Sequence, residues 1–264
     1  MTYVPLDITD LMLAASLLIA NGLISIAFRL KLERSFVIAA LRMVVQLSIV
    51  SLALTFIFQV NDPRWTAFFA ILMGAAAAYE VNYRQERRVK GAIAIALAAG
   101  APFLAGLVAT LFAAIAIVAP DPWYAPRYLL PIFGMMLGNA LTGTSLVLDT
   151  LTQGVQRERT AIEARLALGA TRFEALDNVL RRALTTGLTP ILTAMAATGI
   201  VSLPGMMTGQ ILAGVDPVAA AKYQVMIMFL ISGATGIAVV AAGLGAVLLI
   251  TDERHRLRLD RLES

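Results

Sequence analysis

Three charged residues interrupt long apolar stretches of this sequence, where they could bind a cation or form a buried ion pair. Arg42 lies inside one stretch, and Glu80 and Asp149 lie near the ends of two others. An isolated charge inside a membrane costs roughly 3 kcal/mol, so we expect Arg42 to be paired or hydrated. Two interpretations stay open: an ion pair with Glu80 or Asp149 that fixes helix packing, or a gate or cation site.

Uncharged polar residues also occur within the apolar stretches. Gln46 lies one helical turn after Arg42, and Asn139 belongs to a run of polar and small residues. The other members of this run are polar or small: Gly134, Gly138, Thr142, Gly143, Thr144 and Ser145. Small residues at helical spacing permit close packing of helices, and we favour that interpretation over a polar pathway, which stays the alternative.

The residues needed for most hydrolytic sites are missing from the sequence. There is no cysteine, and His255 is the only histidine. Zinc sites of the Cys/His type and Ser-His-Asp triads therefore lack their parts. We expect that the chain is not an enzyme.

Composition places these residues in a membrane protein. Of 264 residues, 59% are hydrophobic and 14% are charged, whereas soluble domains have about 25% charged residues. Stretches long enough to cross a bilayer occur at about 8–28, 36–58, 65–81, 91–118, 128–151, 184–203 and 223–250. The sequence predicts an all-α integral membrane protein of about seven transmembrane helices, with residues 1–264 forming one transmembrane domain.

Basic residues between these stretches indicate the orientation, because Lys and Arg are retained in the cytoplasm. They concentrate in alternate loops and in the tail: Arg29, Lys31, Arg34, Arg84, Arg87, Arg88, Lys90, Arg157, Arg159, Arg165, Arg172, Arg181, Arg182, Arg254, Arg256, Arg258 and Arg261. We expect an outside N-terminus and a cytoplasmic C-terminus. The charge is thus explained by topology, and we expect lipid contacts and no nucleic-acid partner.

The longest of these basic connections, residues 154–182, has its own helical pattern. Apolar residues recur at helical spacing among charges, which predicts two short amphipathic helices. Gly169 would end the first, and Thr171 with Glu174 forms a capping-box pattern that would begin the second. The pair could lie on the anionic inner leaflet or contact a protein partner.

One part of this connection resembles the coupling segment of ABC-transporter permeases, whose pattern is E-A-A-x-x-x-G. The matching residues are Glu163, Ala164, Arg165, Leu168, Gly169, Ala170 and Thr171, with Arg165 in place of the second alanine. In that family the segment is a short exposed helix that enters a cleft on the ATPase. Nucleotide-driven closure is thereby transmitted to the membrane domain.

Four further segments resemble the bacterial iron-export (Fet-type) permease family, which has plant aluminium-tolerance relatives. They are Arg42–Leu47, Tyr79–Val81, Leu203–Leu212 and Tyr223–Met228. The resemblance implies an inner-membrane permease subunit that exports iron or another metal ion and takes part in metal homeostasis. It also implies a separate ATPase subunit that carries ATP and Mg, since this chain has no P-loop. A homodimer of the permease is expected.

The run after the predicted sixth span is too apolar for an ordinary exterior loop. Its residues Pro204, Gly205, Met206, Met207 and Gln210 are candidates for an outer gate, in a segment that would re-enter the membrane. Thioethers suit soft ions, so we expect the eleven methionines of the chain to be mostly lipid-facing or core filler, not metal ligands. If iron is carried, the oxygen ligands would come from Glu80, Asp149 and Asn139, with the two carboxylates as the metal candidates.

The alternative function is a gradient-driven secondary transporter of a small solute or ion. Such proteins couple transport to intramembrane carboxylates and often contain inverted repeats. Few intramembrane charges and an odd number of predicted spans count against it. An adjacent gene for an ATP-binding-cassette subunit would favour the permease.

Overall fold

The computed structural model describes residues 7–84, 89 and 91–262. Within these ranges the chain is helical, with isolated β-bridges and no β-strand. A π-helical segment, Ala113–Val118, continues α4, and a 3-10 turn spans Leu259–Arg261. The described α-helices are α1 Ile8–Ala27, α2 Glu33–Val60, α3 Pro63–Arg84, α4 Ala92–Phe112, α5 Pro126–Arg157, α6 Arg159–Ala167, α7 Arg172–Ala197, α8 Gly205–Leu212 and α9 Pro217–Ile250.

The described residues up to Val60 form one compact unit, the helix pair of α1 and α2. Its connection is held by Ser25, whose hydroxyl donates to Glu33 Oε2 at 2.9 Å and accepts from the backbone N–H of Leu32 at 2.9 Å. Two basic residues in the connection, Arg29 and Lys31, have positive φ angles of 54° and 59°. Local side-chain bonding therefore sets this turn without a glycine.

The described residues from Asn61 onward form a second unit, in which α5 is central. Helices α3, α4, α7 and α9 all contact α5. The main core lies among these helices and includes the fully buried residues Val147, Leu151, Leu176, Val239 and Val247. The prediction of a single domain over residues 1–264 stays a prediction.

Five of the described helical segments are long and apolar enough to cross a membrane: Ile8–Ala27, Glu33–Val60, Ala92–Val118, Pro126–Arg157 and Pro217–Ile250. They overlap five of the seven predicted spans. Helices α3 and α7, over the predicted third and sixth spans, are not among them. Helix α3 carries charged residues at both ends, and those of α7 lie in its first turns, which are amphipathic.

The predicted sixth span was placed too far along the chain. It was expected over 184–203 with a break at Pro204, but α7 already ends at Ala197. Gly199 adopts a φ of +93° and its N–H donates to the carbonyl of Ser202, which closes a turn. The turn projects Ile200, 94% exposed, and Val201, 81% exposed.

The predicted second helix of the basic connection was also misjudged in length. It was expected to be short, but it is the beginning of α7, which runs for 26 residues. Of the basic residues used for orientation, Arg87, Arg88, Lys90 and the side chain of Arg84 lie outside the described residues.

Residues 251–262, which belong to the second unit, fold back onto the end of α9. Arg258 N–H donates to the carbonyl of Ile250 at 2.8 Å, and Arg261 Nη1 donates to the carbonyl of Leu249 at 2.8 Å. Leu262 packs into the main core with 6% exposure. This segment is fixed on the same end of the unit as the beginning of α7, because His255 contacts Arg172.

Candidate functional site

Helix α6 is a nine-residue helix between the two long helices α5 and α7, and it is anchored by one side. Ile162 is 2% exposed and belongs to the main core, and Leu166 packs against that core. The other side of α6 presents Glu163, Ala164 and Arg165 to the exterior. The helix is therefore an exposed surface on a fixed base.

The turn after α6 has a defined geometry. Gly169 adopts a φ of +93°, a conformation that costs roughly 1–2 kcal/mol for a residue with a Cβ. Its N–H donates to the carbonyl of Leu166 at 3.0 Å, and the N–H of Ala170 donates to the carbonyl of Arg165 at 3.1 Å. These two bonds form a Schellman motif, which satisfies carbonyl groups at the end of the helix.

The capping box predicted at the beginning of α7 is confirmed. The carboxylate of Glu174 accepts from the Thr171 N–H at 2.7 Å and from the Thr171 hydroxyl at 2.8 Å, and Thr171 Oγ1 accepts from the Glu174 N–H at 3.4 Å. Chiefly through the Thr171 backbone bond, these contacts hold the pKa of Glu174 below its usual value, and the nearby His255 lowers it further.

Between these two fixed elements, Leu168 is 89% exposed. It follows the last residue of α6 and directly precedes Gly169. A leucine held at the tip of a turn with almost all of its surface exposed suits insertion into an apolar pocket. The structure thus brings all seven predicted coupling residues into one exposed element, which we call the α6 tip (residues 163–171).

Two ion pairs and a histidine support the α6 tip. Arg159 Nε contacts Glu163 Oε1 at 2.8 Å along α6. Arg182 of α7 pairs with Glu158 at the end of α5. Nδ1 of His255 accepts from the N–H of Arg172, the first residue of α7, at 3.2 Å. The His255 contact is not evident from the sequence, because the two residues are 83 positions apart.

The predicted intramembrane candidates divide between the two units. Arg42 and Gln46 lie on α2 in the first unit, whereas Glu80 of α3 and Asn139 and Asp149 of α5 lie in the second. The ion pair between Arg42 and a carboxylate stays a prediction.

The two carboxylate oxygens of Asp149 differ in their hydrogen bonding. Its Oδ2 accepts from Gln153 Nε2 at 3.0 Å, but its Oδ1 is inaccessible to solvent and has no hydrogen-bond partner among the described residues. Asn139 instead bonds its own helix, since Nδ2 donates to the carbonyl of Met135 at 2.9 Å. Gln153 was not predicted as a site residue, although its spacing of four from Asp149 on a helix is a usable signal.

Other buried hydroxyl groups lie close to Asp149 in sequence. Thr144 Oγ1 and Ser145 Oγ on α5 are solvent-inaccessible and accept or donate no hydrogen bond within the described part of the chain. The same holds for Thr235 Oγ1 on α9, which sequence reasoning missed. Buried polar atoms without partners are uncommon and often mark functional positions.

The small residues of α5 were expected to permit close helix packing, and the structure shows this at one glycine but not at another. A Cβ placed on Gly143 would lie 2.9 Å from the carbonyl oxygen of Gly187, so Gly143 permits close packing as predicted. Gly138, in contrast, has nothing within 4 Å. One face of α5 is therefore packed and another, with Gly138, is open.

Within residues 7–84, 89 and 91–262, no group of three or more acidic residues and histidine comes together in a way that could hold a metal ion. Glu80 and Asp149 as metal candidates stay a prediction. Among the methionines, Met136 is fully buried and Met135, Met195, Met206 and Met226 pack around the same apolar cluster, whereas Met12 and Met43 are exposed.

The outer gate candidates form α8 and its N-terminus. Pro204 is the N-cap and Gly205 the first residue of this eight-residue helix, which packs on α9. Met206 and Gln210 line a cavity of about 450 Å³ with Arg127 and Tyr128. Gln210 Oε1 is solvent-inaccessible without a partner among the described residues. Met207 is half-buried. Gating and re-entry stay predictions.

Comparison with known proteins gives a consistent result over nearly the whole chain. A family model described as an uncharacterised protein family, UPF0014, matches residues 8–248. The "Probable iron export permease protein FetB" of Escherichia coli is 32% identical over 97% of this chain and 96% of that protein. No solved structure matches.

Relatives also occur in plants and cyanobacteria. "Protein ALUMINUM SENSITIVE 3" of Arabidopsis thaliana is 33% identical over 80% of this chain and 76% of its own length. The "UPF0014 membrane protein slr1647" of Synechocystis is 36% identical over 72% of this chain and 73% of its own length. The apolar helices, the family match over residues 8–248 and these membrane and permease relatives agree, and the chain is therefore a member of the UPF0014 family.

Proposed function

We propose that this protein is the permease subunit of an ATP-binding-cassette transporter. The observation that carries the proposal is the α6 tip, in which Leu168 is 89% exposed between a Schellman turn and a capped helix. A rigid element of this kind can transmit force from a partner to the spans, whereas a mobile loop would absorb it. Ile162 and α7 connect the tip to the main core.

The partner in this proposal is a separate ATPase subunit, on which ATP and Mg bind. The sequence has no P-loop of its own. A cleft that receives the α6 tip would need an apolar pocket for Leu168 and polar groups for Glu163 and Arg165. Two such ATPase subunits would serve a homodimer of the permease.

The proposed arrangement in the membrane has seven spans, with α3 and α7 added to the five apolar segments. The N-terminus is outside and the C-terminus in the cytoplasm of a bacterial inner membrane. Support comes from the basic residues, since Arg159, Arg165 and Arg172 lie in or beside the α6 tip. Alternating access would then be driven by ATP binding and hydrolysis.

The proposed cargo is iron or another metal ion, moved outward. Support comes from the name of the Escherichia coli relative, a probable iron export permease, and from the oxygen atoms of Asp149, Glu80 and Asn139, which suit hard cations. The chain offers no thiolate and a single histidine, so oxygen ligands are the consistent choice.

A gradient-driven transporter is the second candidate, and the solvent-inaccessible Oδ1 of Asp149 favours it. Intramembrane carboxylates are the residues through which secondary transporters couple transport to an ion gradient. The two mechanisms differ in their energy source.

Transport of radioactive iron in proteoliposomes separates the two candidates. The permease is reconstituted with its candidate ATPase, and iron movement is measured with ATP, with a non-hydrolysable ATP analogue, and with a proton gradient alone. Movement that requires hydrolysable ATP supports the proposal. Movement driven by the gradient without the ATPase contradicts it and supports the secondary transporter.

A further inference from the structure

A polar cavity lies between the end of α5 and the first half of α7, away from the α6 tip residues. Its volume is about 560 Å³. Three arginines line it, Arg157 from α5 and Arg181 and Arg182 from α7, with Gln153 and a single carboxylate, Glu158. The lining therefore has an excess of positive charge, although Arg182 and Glu158 also form the ion pair beside the α6 tip and Gln153 also bonds Asp149.

Close contact between the two helices holds these arginines together. A Cβ on Gly154 would lie 2.6 Å from Val179 Cγ1, so the absence of a side chain at this position allows α5 and α7 to approach. Both residues line the cavity. Val179 is 2% exposed and belongs to the main core, which makes the base of the cavity rigid.

The acidic neighbours leave many arginine donors unused. Arg182 pairs with Glu158 through one terminal nitrogen, and Arg181 pairs with Asp177 through Nε, at 2.8 Å to each carboxylate oxygen. A guanidinium group has five N–H donors, so most of them remain available on both residues. Arg157 is exposed and forms no ion pair within the described residues.

We propose that this cavity binds the phosphate group of an anionic ligand, either a phospholipid headgroup or a soluble phosphate ester. Guanidinium forks match phosphate oxygens bidentately, and a phosphate has enough oxygens to engage Arg157 and Arg182 at once. The volume accommodates a glycerol phosphate, and the position at the basic end of the helices is where anionic headgroups occur. The proposal does not depend on the transport function.

The test compares binding of defined probes to the purified full-length protein in a neutral detergent. The probes are short-chain phosphatidylglycerol, short-chain phosphatidylcholine, glycerol 3-phosphate and inorganic phosphate, and the readout is the dissociation constant. The variants are Arg157→Gln, Arg157→Lys and Arg34→Gln. Arg34 is an exposed arginine of α2, so its variant removes the same charge elsewhere. Unfolding temperatures establish that each variant is folded.

We expect wild type and Arg34→Gln to bind the anionic probe equally, and Arg157→Gln to bind it about tenfold more weakly, as loss of one charge-assisted bond implies. Arg157→Lys should lie between them, because it keeps the charge but loses the fork. Preference for phosphatidylglycerol over glycerol 3-phosphate identifies a lipid headgroup, and the reverse identifies a soluble ester. The proposal is overturned if wild type binds no probe, or if Arg157→Gln and Arg34→Gln are indistinguishable.

Discussion

Gly143 of α5 and Gly187 of α7 face each other at a helix crossing. A Cβ on either glycine would lie 2.9 Å from the carbonyl oxygen of the other. Val239 of α9 closes the same site, since its methyl carbons would be 2.7 Å and 3.0 Å from those Cβ atoms. The backbones of α5 and α7 thus approach closely, with the Val239 side chain of α9 packed against both, and the α6 tip connects the two helices that share the glycine pair.

Replacing Gly187 with alanine should therefore destabilise the protein. The added Cβ would contact the Gly143 carbonyl oxygen, Val239 and Val147, and backbone atoms cannot rotate away. Overpacking of this kind costs about 1–3 kcal/mol. Reversible unfolding in mixed micelles measures the loss.

Gly138→Ala is the matched control on α5, because nothing lies within 4 Å of its ideal Cβ. Its stability should differ from wild type by no more than about 1 kcal/mol, the helix propensity difference between glycine and alanine. Equal destabilisation by both variants would show that the glycine pair is not a packing contact.

The capping box at the beginning of α7 should contribute measurably to stability. Thr171→Ala removes the hydroxyl that accepts from the Glu174 N–H, and loss of such a cap costs about 1 kcal/mol. Thr185→Ala is the control, because Thr185 lies on the same helix and its hydroxyl only bonds the carbonyl of Arg181 one turn earlier. A smaller effect at Thr171 than at Thr185 would contradict the assigned role.

The lowered pKa of Glu174 predicts that the stability of the folded protein depends on pH. Its pKa in the folded protein is below the ordinary value of 4.5, chiefly because the carboxylate accepts from the Thr171 N–H. A lowered pKa means that the stabilisation is complete above the unfolded-state pKa and is lost as the pH falls through the folded-state pKa.

The measurement is the unfolding temperature of wild type and Glu174→Gln from pH 7 to pH 3. Their difference should be constant at neutral pH and should shrink once the pH falls below about 4.5. A difference that grows on acidification would show that the carboxylate is not held in its charged form.

Asp149→Asn should separate a functional role from a structural one. Asparagine keeps an oxygen for Gln153 and removes a buried negative charge, so stability should stay equal or rise. If Asp149 contacts the cargo, ATP-dependent iron transport should fall at least about tenfold, as for loss of one charged contact. Asp216→Asn is the control, since asparagine caps a helix as well as aspartate does.

Local patterns predicted much of this structure. The glycine turn at Gly169 and the capping box at Thr171 follow from residue types at fixed spacing, because each depends on bonds between near neighbours. The predicted end of the sixth span was wrong by several residues, because the Gly199 N–H bonds the Ser202 carbonyl and closes a turn before Pro204. Apolar composition continues through that turn, so hydropathy alone gives no boundary there.

Contacts between distant residues could not be predicted in the same way. The pairing of Gly143 with Gly187, and of Arg172 with His255, depends on which helices are neighbours in space. Gly138 and Gly143 lie on different sides of α5, as their spacing of five predicts, but which side is covered depends on the neighbouring helices.

The most direct test of the proposed function is co-purification of the permease with its candidate ATPase in lipid nanodiscs. Wild type is compared with Leu168→Asp and Glu163→Ala, and with Glu253→Ala as a control that removes an exposed carboxylate outside the α6 tip. We predict a stable complex for wild type and Glu253→Ala. Leu168→Asp should not retain the ATPase. Burial of the leucine side chain in the ATPase cleft would contribute about 2 kcal/mol to binding, and a carboxylate in its place would cost desolvation energy. Equal recovery of the ATPase with all four proteins, or with none, would contradict the account.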